Sequence, residues 1–243
     1  MRDYLLFRLY GSLAAWGDIA VGEYRPSFVH PGKSAIIGLL AAALGIRRDE
    51  EERQKSLAES CSFAVRVDSM GVLLRDYHTT QVPSAKKGVV HYTRRSELAT
   101  DDLNTILSSR DYRCDAANTV AITVAGGSPY TVQQLVAALA KPVFTLYLGR
   151  KSCPLAMPLQ PQVINAATLR EALESVPPVE ELSSIVLKGD AMVFWEDDTA
   201  SGLERQQVIT RRDEPRSRKR WQFSERQENC GILRKGEEPC TSA

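Results

Sequence analysis

From Ala35 to Leu44 the chain reads Ala-Ile-Ile-Gly-Leu-Leu-Ala-Ala-Ala-Leu, without one charged side chain, and the run stops at Gly45. A segment apolar nearly all round forms a buried helix, and glycine is the residue that most often closes one. The rest of the chain must therefore be folded around it. The start of this helix, at Pro31-Gly32-Lys33-Ser34, is the end expected to face solvent. With 243 residues and 43% hydrophobic content the chain can bury a real core, and its length suits one medium domain with a small second lobe.

The elements on either side follow from periodicity. Residues 3 to 9 alternate and are rich in Leu, Tyr and Phe, which predicts a central strand. Residues 11 to 32 are broken by glycines and prolines into a long connection of the kind that tends to carry function. Phe63 to Asp68 alternates as a strand, and Gly71 to Leu74, running on to Thr80, reads as a second strand paired to it. Tyr112 to Asp115 and Thr119 to Val124 are β-rich. Thr131 is a helix N-cap, Val132, Leu135, Val136 and Leu139 share one buried face, and Pro142 ends that helix. Phe144 to Tyr147 supplies a last strand.

The order strand, helix, two strands, helix, strand is an α+β, ferredoxin-like (RRM-like) βαββαβ plan over residues 1–165. A polar, basic excursion at 81–110 is inserted in it. Proline punctuation at Pro158, Pro161, Pro177 and Pro178 marks a change to a small β-rich C-terminal lobe, 166–226. It holds a short helix near Thr168 to Ser175 and strands near Ala191 to Glu196 and Gln206 to Thr210. Residues 227–243 lack periodicity and read as a flexible tail. This fold hosts many unrelated functions, so function must come from the sites.

Lys and Arg total 31 against 30 Asp and Glu, so any hold on a polyanion must come from local clustering. The five cysteines are scattered, with no C-x-x-C pair of the kind that builds zinc sites, and read as reduced thiols of a cytoplasmic protein. The apolar stretch at the N-terminus is too short for a signal peptide, and nothing approaches a membrane span. No metal, cofactor or membrane association is expected.

Several segments carry candidate chemistry. Pro31-Gly32-Lys33-Ser34 before an apolar helix matches the end of a phosphate-binding P-loop, but Ser27 stands where that pattern needs glycine. Lys33 and Ser34 at a helix N-terminus suit a backbone phosphate, or simply an ordinary cap. His30, His78 and His91 lack metal-ligand spacing. His78 and His91, with Tyr77, Lys86, Lys87 and Tyr92, offer the residue types for acid–base attack by a ribose hydroxyl, or contact RNA without catalysis. Arg211 to Arg220 holds six basic residues against two acidic ones, followed by Trp221 and Phe223, and is either a phosphate and stacking surface or a solvated edge. Trp195 to Asp198 is acidic and reads as a turn. Tyr147-Leu148-Gly149-Arg150-Lys151-Ser152 joins an aromatic, a glycine permitting close backbone approach and two cations, so a base can stack on Tyr147 and Arg150 can fork onto a phosphate. The same segment could be only a turn.

Taken in order, Arg2-x-Tyr4-Leu5, Ala15-Trp16-Gly17, Arg25-Pro26, Leu44-Gly45-Ile46-Arg47-Arg48-Asp49, Leu74-Arg75-Asp76-Tyr77-His78-Thr79, Tyr112-x-Cys114-Asp115 and Tyr147-Leu148-Gly149-Arg150-x-Ser152-Cys153-Pro154-Leu155 resemble one family. It is the CasD-type subunits of the type I-E CRISPR surveillance complex, Cascade, in the RAMP superfamily. The resemblance spans most of residues 1 to 165. It implies a ferredoxin-like body whose thumb is the 81–110 excursion. It also implies a non-catalytic, RNA-binding role at the 5′ handle of the CRISPR RNA, capping a backbone of CasC-type subunits beside the CasA-type large subunit, with target DNA in the assembled complex. Base pairing then reads the sequence. The contacts expected on RNA are Tyr147, Gly149, Arg150, Lys151, Ser152, Arg25, Lys33, Ser34, Arg75, His78, Arg94 and Arg95. Because a related subunit of other CRISPR subtypes cuts repeat RNA, metal-independent endoribonuclease activity is the alternative. Arg211-Arg212-Asp213-Glu214-Pro215 and Gln222-Phe223-Ser224 resemble the family's C-terminal lobe, whereas the basic insertion and the ending from Asn229 to Ala243 look unlike it.

Overall fold

In the computed structural model, which describes residues 1–177, 180–186, 189–196 and 201–234, the chain is mixed α/β and built on antiparallel sheets. β1 (Arg2–Tyr10) leads through two short pieces, β2 (Leu13–Ala14) and β3 (Tyr24–Arg25), to α1 (Lys33–Ala43) and α2 (Glu51–Ser60). β4 (Cys61–Ser69) is followed by β5 (Val72–Pro83), α3 (Arg94–Leu98) and β6 (Leu103–Cys114). Next come β7 (Ala117–Val124), α4 (Val132–Ala140), β8 (Gln162–Ala166) and α5 (Leu169–Glu174), and the described chain ends with β9 (Ala191–Trp195), β10 (Gln207–Ser217) and β11 (Gln222–Leu233).

β1 sends Leu5, Phe7 and Leu9 to one side and Tyr4 and Leu6 to the other, all buried, so it lies inside a sheet covered on both faces. That sheet has the strand order β10-β11-β9-β4-β7-β1-β8. α1 and α4 cover the first face, with Ile36, Leu40, Leu135 and Leu139 packed on Phe7, Val65 and Val120. α5 covers the second, with Leu169 and Leu173 beside Leu6 and Trp195. α1 closes as its composition predicts: Gly45 adopts φ +73°, and the Ile46 N–H to Ala41 and Gly45 N–H to Ala42 bonds form a Schellman stop. Thr131 caps α4 in a capping box with Gln134. Among the described residues no helix is long and apolar enough to cross a membrane.

Four expectations change. Phe144 to Tyr147 is not a sheet strand. The N–H groups of Val143 and Phe144 satisfy the Ala43 and Ala42 carbonyls at the open end of α1, and β8 takes the place beside β1. Residues 72–83 do not pair with β4, whose neighbours are β7 and β9. Gly71, at φ +63° and against the Cys114 carbonyl, turns the chain out of the sheet, and β5 pairs with β6 in unbroken register from Val72↔Cys114 to Pro83↔Leu103. The excursion is thus a hairpin of about 36 Å, starting before residue 81, with α3 at its far end. The segment expected as a separate lobe extends the main sheet through β9, β11 and β10. Finally, residues 227–233 form the second half of β11, paired to both β10 and β9. Pro178, Asp197, Asp198 and Cys240 lie outside the described residues.

Candidate nucleic-acid interface

The start of α1 is the pivot of the site, and it is buried rather than exposed. The Asp213 carboxylate, from β10, accepts the Lys33 backbone N–H at 2.8 Å and so occupies the position where a phosphate would sit. Gly32 is required there, because a Cβ would collide with Asp213 Oδ2. The Lys33 ammonium is held by Glu196 at 2.7 Å and Glu214 at 2.8 Å. Burial alone would lower its pKa, but the two carboxylates raise it. The cation and the helix end are both engaged by carboxylates from the C-terminal part of the chain, which is the capped-helix alternative for Lys33 and not the phosphate-bound one.

The same network continues inward. Arg226 forks onto Asp213 at 2.6 and 3.0 Å and reaches Glu228 at 2.5 Å. Glu228 meets His30 at 3.1 Å, and both side chains are fully buried. Burial would raise the Glu228 pKa, but His30 and Arg226 pull it down to about 2. The His30 ring stacks on Phe194 at 3.9 Å. These contacts lock the β10–β11 ribbon against α1. Buried ion pairs of this kind set geometry more than they add stability.

Locking the ribbon there builds a groove of about 710 Å³ between the loop 145–150, the start of α1 and the β10–β11 turn. Arg25, Arg48, Arg150, Arg211, Arg212 and Arg218 line it, against Asp18 and Asp213. Asp213 is already neutralised by Arg226, so the groove is strongly positive although the whole chain is nearly neutral. Tyr147, Trp221 and Phe223 supply aromatic surface. Charge with aromatic stacking surface is the equipment of a single-strand nucleic-acid groove.

The loop that carries Tyr147 folds as a tight turn. Tyr147 bridges Pro154, the Leu148 N–H reaches the Cys153 carbonyl, and the Ala15 N–H reaches Leu148. Gly149 sits at φ +84° with its Cα against the Ala15 carbonyl. Glycine is thus needed here for close approach to the protein's own backbone. Arg150 donates to the carbonyls of Asp111, at 3.0 Å, and Arg25, at 3.2 Å, and lies over the Tyr112 ring. It fastens this loop to the hairpin base instead of presenting a free fork. Lys151 and Ser152 are exposed on the turn outside the groove lining.

Of the remaining expected contacts, Arg25 and Ser34 line the groove, whereas Arg75, His78, Arg94 and Arg95 lie on the hairpin. Arg75 forks onto buried Asp111 at 2.8 and 3.2 Å and lies over Tyr24, whose hydroxyl also donates to Asp111. The Asp111 pKa is lowered, first by Arg75. Arg94 pairs with Glu97. His78 faces Asp76 at 3.2 Å and Lys86 faces Asp102 at 3.8 Å, so a histidine and a lysine of the proposed acid–base set each lie beside a carboxylate. Among the described residues no group of three or more His, Cys, Asp and Glu side chains is arranged to share a metal. Sequence reading quoted Arg47-Arg48 only as part of a family match and did not count Arg48 among the contacts, and it left the basic run undecided.

Residues 4–228 match the family described as CRISPR-associated protein (Cas_Cas5). The chain is 37% identical over 188 residues, 74% of its length and 79% of the relative's, to the CRISPR system Cascade subunit CasD of Escherichia coli (strain K12). Among solved structures it is similar to a chain of a CRISPR RNA-guided surveillance complex, with TM-score 0.66 and 29% identity over 95% of this chain and 90% of that one. A second, titled crystal structure of Cas protein, gives TM-score 0.65 and 28% identity over 96% and 95%.

Proposed function

Because this chain belongs to the CRISPR-associated Cas5 family, we propose that it is a non-catalytic subunit of a CRISPR RNA-guided surveillance complex and holds the 5′ handle of the guide RNA in the arginine-lined groove. The observation that carries this reading is the groove itself, six arginines with one unneutralised carboxylate, edged by Tyr147 and Trp221. RNA handles are single-stranded, and such strands are held by backbone charge and by bases stacked on aromatic rings. Four neighbouring strands, β4-β7-β1-β8, with α1 and α4 on one face, support a ferredoxin-like body, and the β5–β6 hairpin is the element suited to act as its thumb. Exposed Tyr77, Val90 and Tyr92 on that hairpin offer contact surface to a CasC-type backbone subunit or a CasA-type large subunit. Target DNA would be read by the guide, in a cytoplasmic complex.

The test is recovery of a tagged copy from its host. A CRISPR-derived RNA together with other complex subunits is the expected result. Incubating the purified chain with repeat RNA in EDTA should leave the RNA intact; cleavage lost in His78→Ala or His91→Ala would contradict the non-catalytic role.

A further inference from the structure

We propose that the β10–β11 turn forms a one-nucleotide subsite at the end of the groove, in which an RNA base stacks on Trp221 and its phosphate seats between Arg48 and Arg218. This rests on the groove being an RNA site, and adds to it a segment that sequence comparison left undecided.

Trp221 is the first observation. It is 57% exposed, whereas Trp16 and Trp195 are 2% and 3% exposed. A large ring left in water at the mouth of a charged groove is a contact surface seeking a partner. Its backbone sits at φ +57°, a conformation that a bulky residue adopts only when its surroundings impose it. Phe223 supports the ring edge-on at 5.5 Å.

The cations are the second. Arg48, from the connection after α1, and Arg218, from the turn, each place a guanidinium 5.1 Å from the Trp221 ring centroid. Arg218 is anchored by its bond to the Ser34 carbonyl, and Gly38 leaves it room, since a Cβ there would strike its guanidinium. Both guanidiniums lie on the one indole ring, and burial and then nearby Arg48 lower the Arg218 pKa, so two like charges are held close together. Such a pair is relieved by an anion.

The third is Arg211. It lines the same groove, is 4% exposed, and stacks on Phe28 at 3.6 Å. Its buried Nη1 has no acceptor, and it makes no ion pair among the described residues. A desolvated guanidinium without a counter-charge is costly in isolation and is offset when a phosphate enters. The aromatic ring and the paired cations fit a base and its phosphate, while Arg211, farther along β10 in the same groove, is left for a neighbouring phosphate of the strand.

The experiment titrates the full chain with single-stranded RNA of the host's repeat sequence while following tryptophan fluorescence and, separately, affinity. Since the other two tryptophans are buried, quenching on binding reports Trp221. Trp221→Ala should abolish the quenching and weaken binding about fivefold or more, the range for one stacked base, and Trp221→Phe should restore most of the affinity. Arg48→Gln, on a different element, should weaken binding and lower its salt dependence, which keeps the test valid if the turn variant folds poorly. Wild-type affinity in Trp221→Ala and Arg48→Gln, with wild-type RNA binding intact, would overturn the subsite alone. Failure of the wild-type chain to bind the RNA would overturn the groove reading with it.

Discussion

The carboxylate of Asp213 caps the first N–H of α1 at Lys33, 180 residues away in sequence, and Arg226 grips the same carboxylate from the neighbouring strand. One side chain thereby ties the helix that the sequence demands to the ribbon that completes the groove. Removing it leaves Arg226 partly unpaired and the helix end uncapped. Asp213→Ala is expected to cost about 3 to 5 kcal/mol, the range for breaking a buried pair, measured by urea unfolding. A loss below about 1 kcal/mol, the scale of surface pairs, would show that the network does not anchor the ribbon.

Acid should destabilise the fold through Glu228. Its folded pKa is about 2, below the ordinary 4.5. The stabilisation is therefore complete above pH 4.5 and is lost as the pH falls toward about 2, because the unfolded chain takes up its proton first. Thermal melts from pH 6 to pH 2.5 should show this slope, and Glu228→Gln, less stable at neutral pH, should flatten it. An unchanged slope in the variant would assign the acid sensitivity elsewhere.

Gly149→Ala should be destabilising for two reasons that act together, a left-handed backbone and a collision with the Ala15 carbonyl. A cost of about 1 to 3 kcal/mol follows, with RNA affinity falling as the Tyr147 loop shifts. Circular dichroism melts and binding titrations check both.

Arg150 and Arg218 should behave differently although both line the groove. Arg150 spends its guanidinium on two carbonyls, so Arg150→Ala should lower stability by about 1.5 to 3 kcal/mol and weaken RNA binding without changing its salt slope. Arg218→Gln should instead reduce the slope by about 0.7, the value for one phosphate contact on a single strand. Affinities measured across a salt series separate these outcomes.

Much of the body was legible because its signals are local. The alternation of β1 and β4, the glycine stop of α1 and the Thr131 cap of α4 each depend on residues within a few positions of one another. The site was less legible because its determinants are distant. Lys33 looks like a phosphate ligand until Glu196, Glu214 and Asp213 are brought to it from the other end of the chain. Phe144 to Tyr147 has the composition of a strand, yet open carbonyls on α1 and the better-placed β8 decide otherwise. Arg48 belongs to the Leu44 to Asp49 match but carries no chemistry there that would mark it as a contact; only the folded β10–β11 turn gives it a neighbour in Trp221. The family resemblance singled out the Tyr147 segment, which lines the groove, while Gly149 and Arg150 make contacts within the protein that no local signal foretells.

The most direct test of the account is ultraviolet cross-linking of the complex purified from its host, followed by mapping of RNA-linked peptides on this chain. The account predicts cross-links at Tyr147 and in the segment from Arg211 to Phe223. Cross-links confined to the opposite face of the sheet, around α5, with none in the groove, would contradict it.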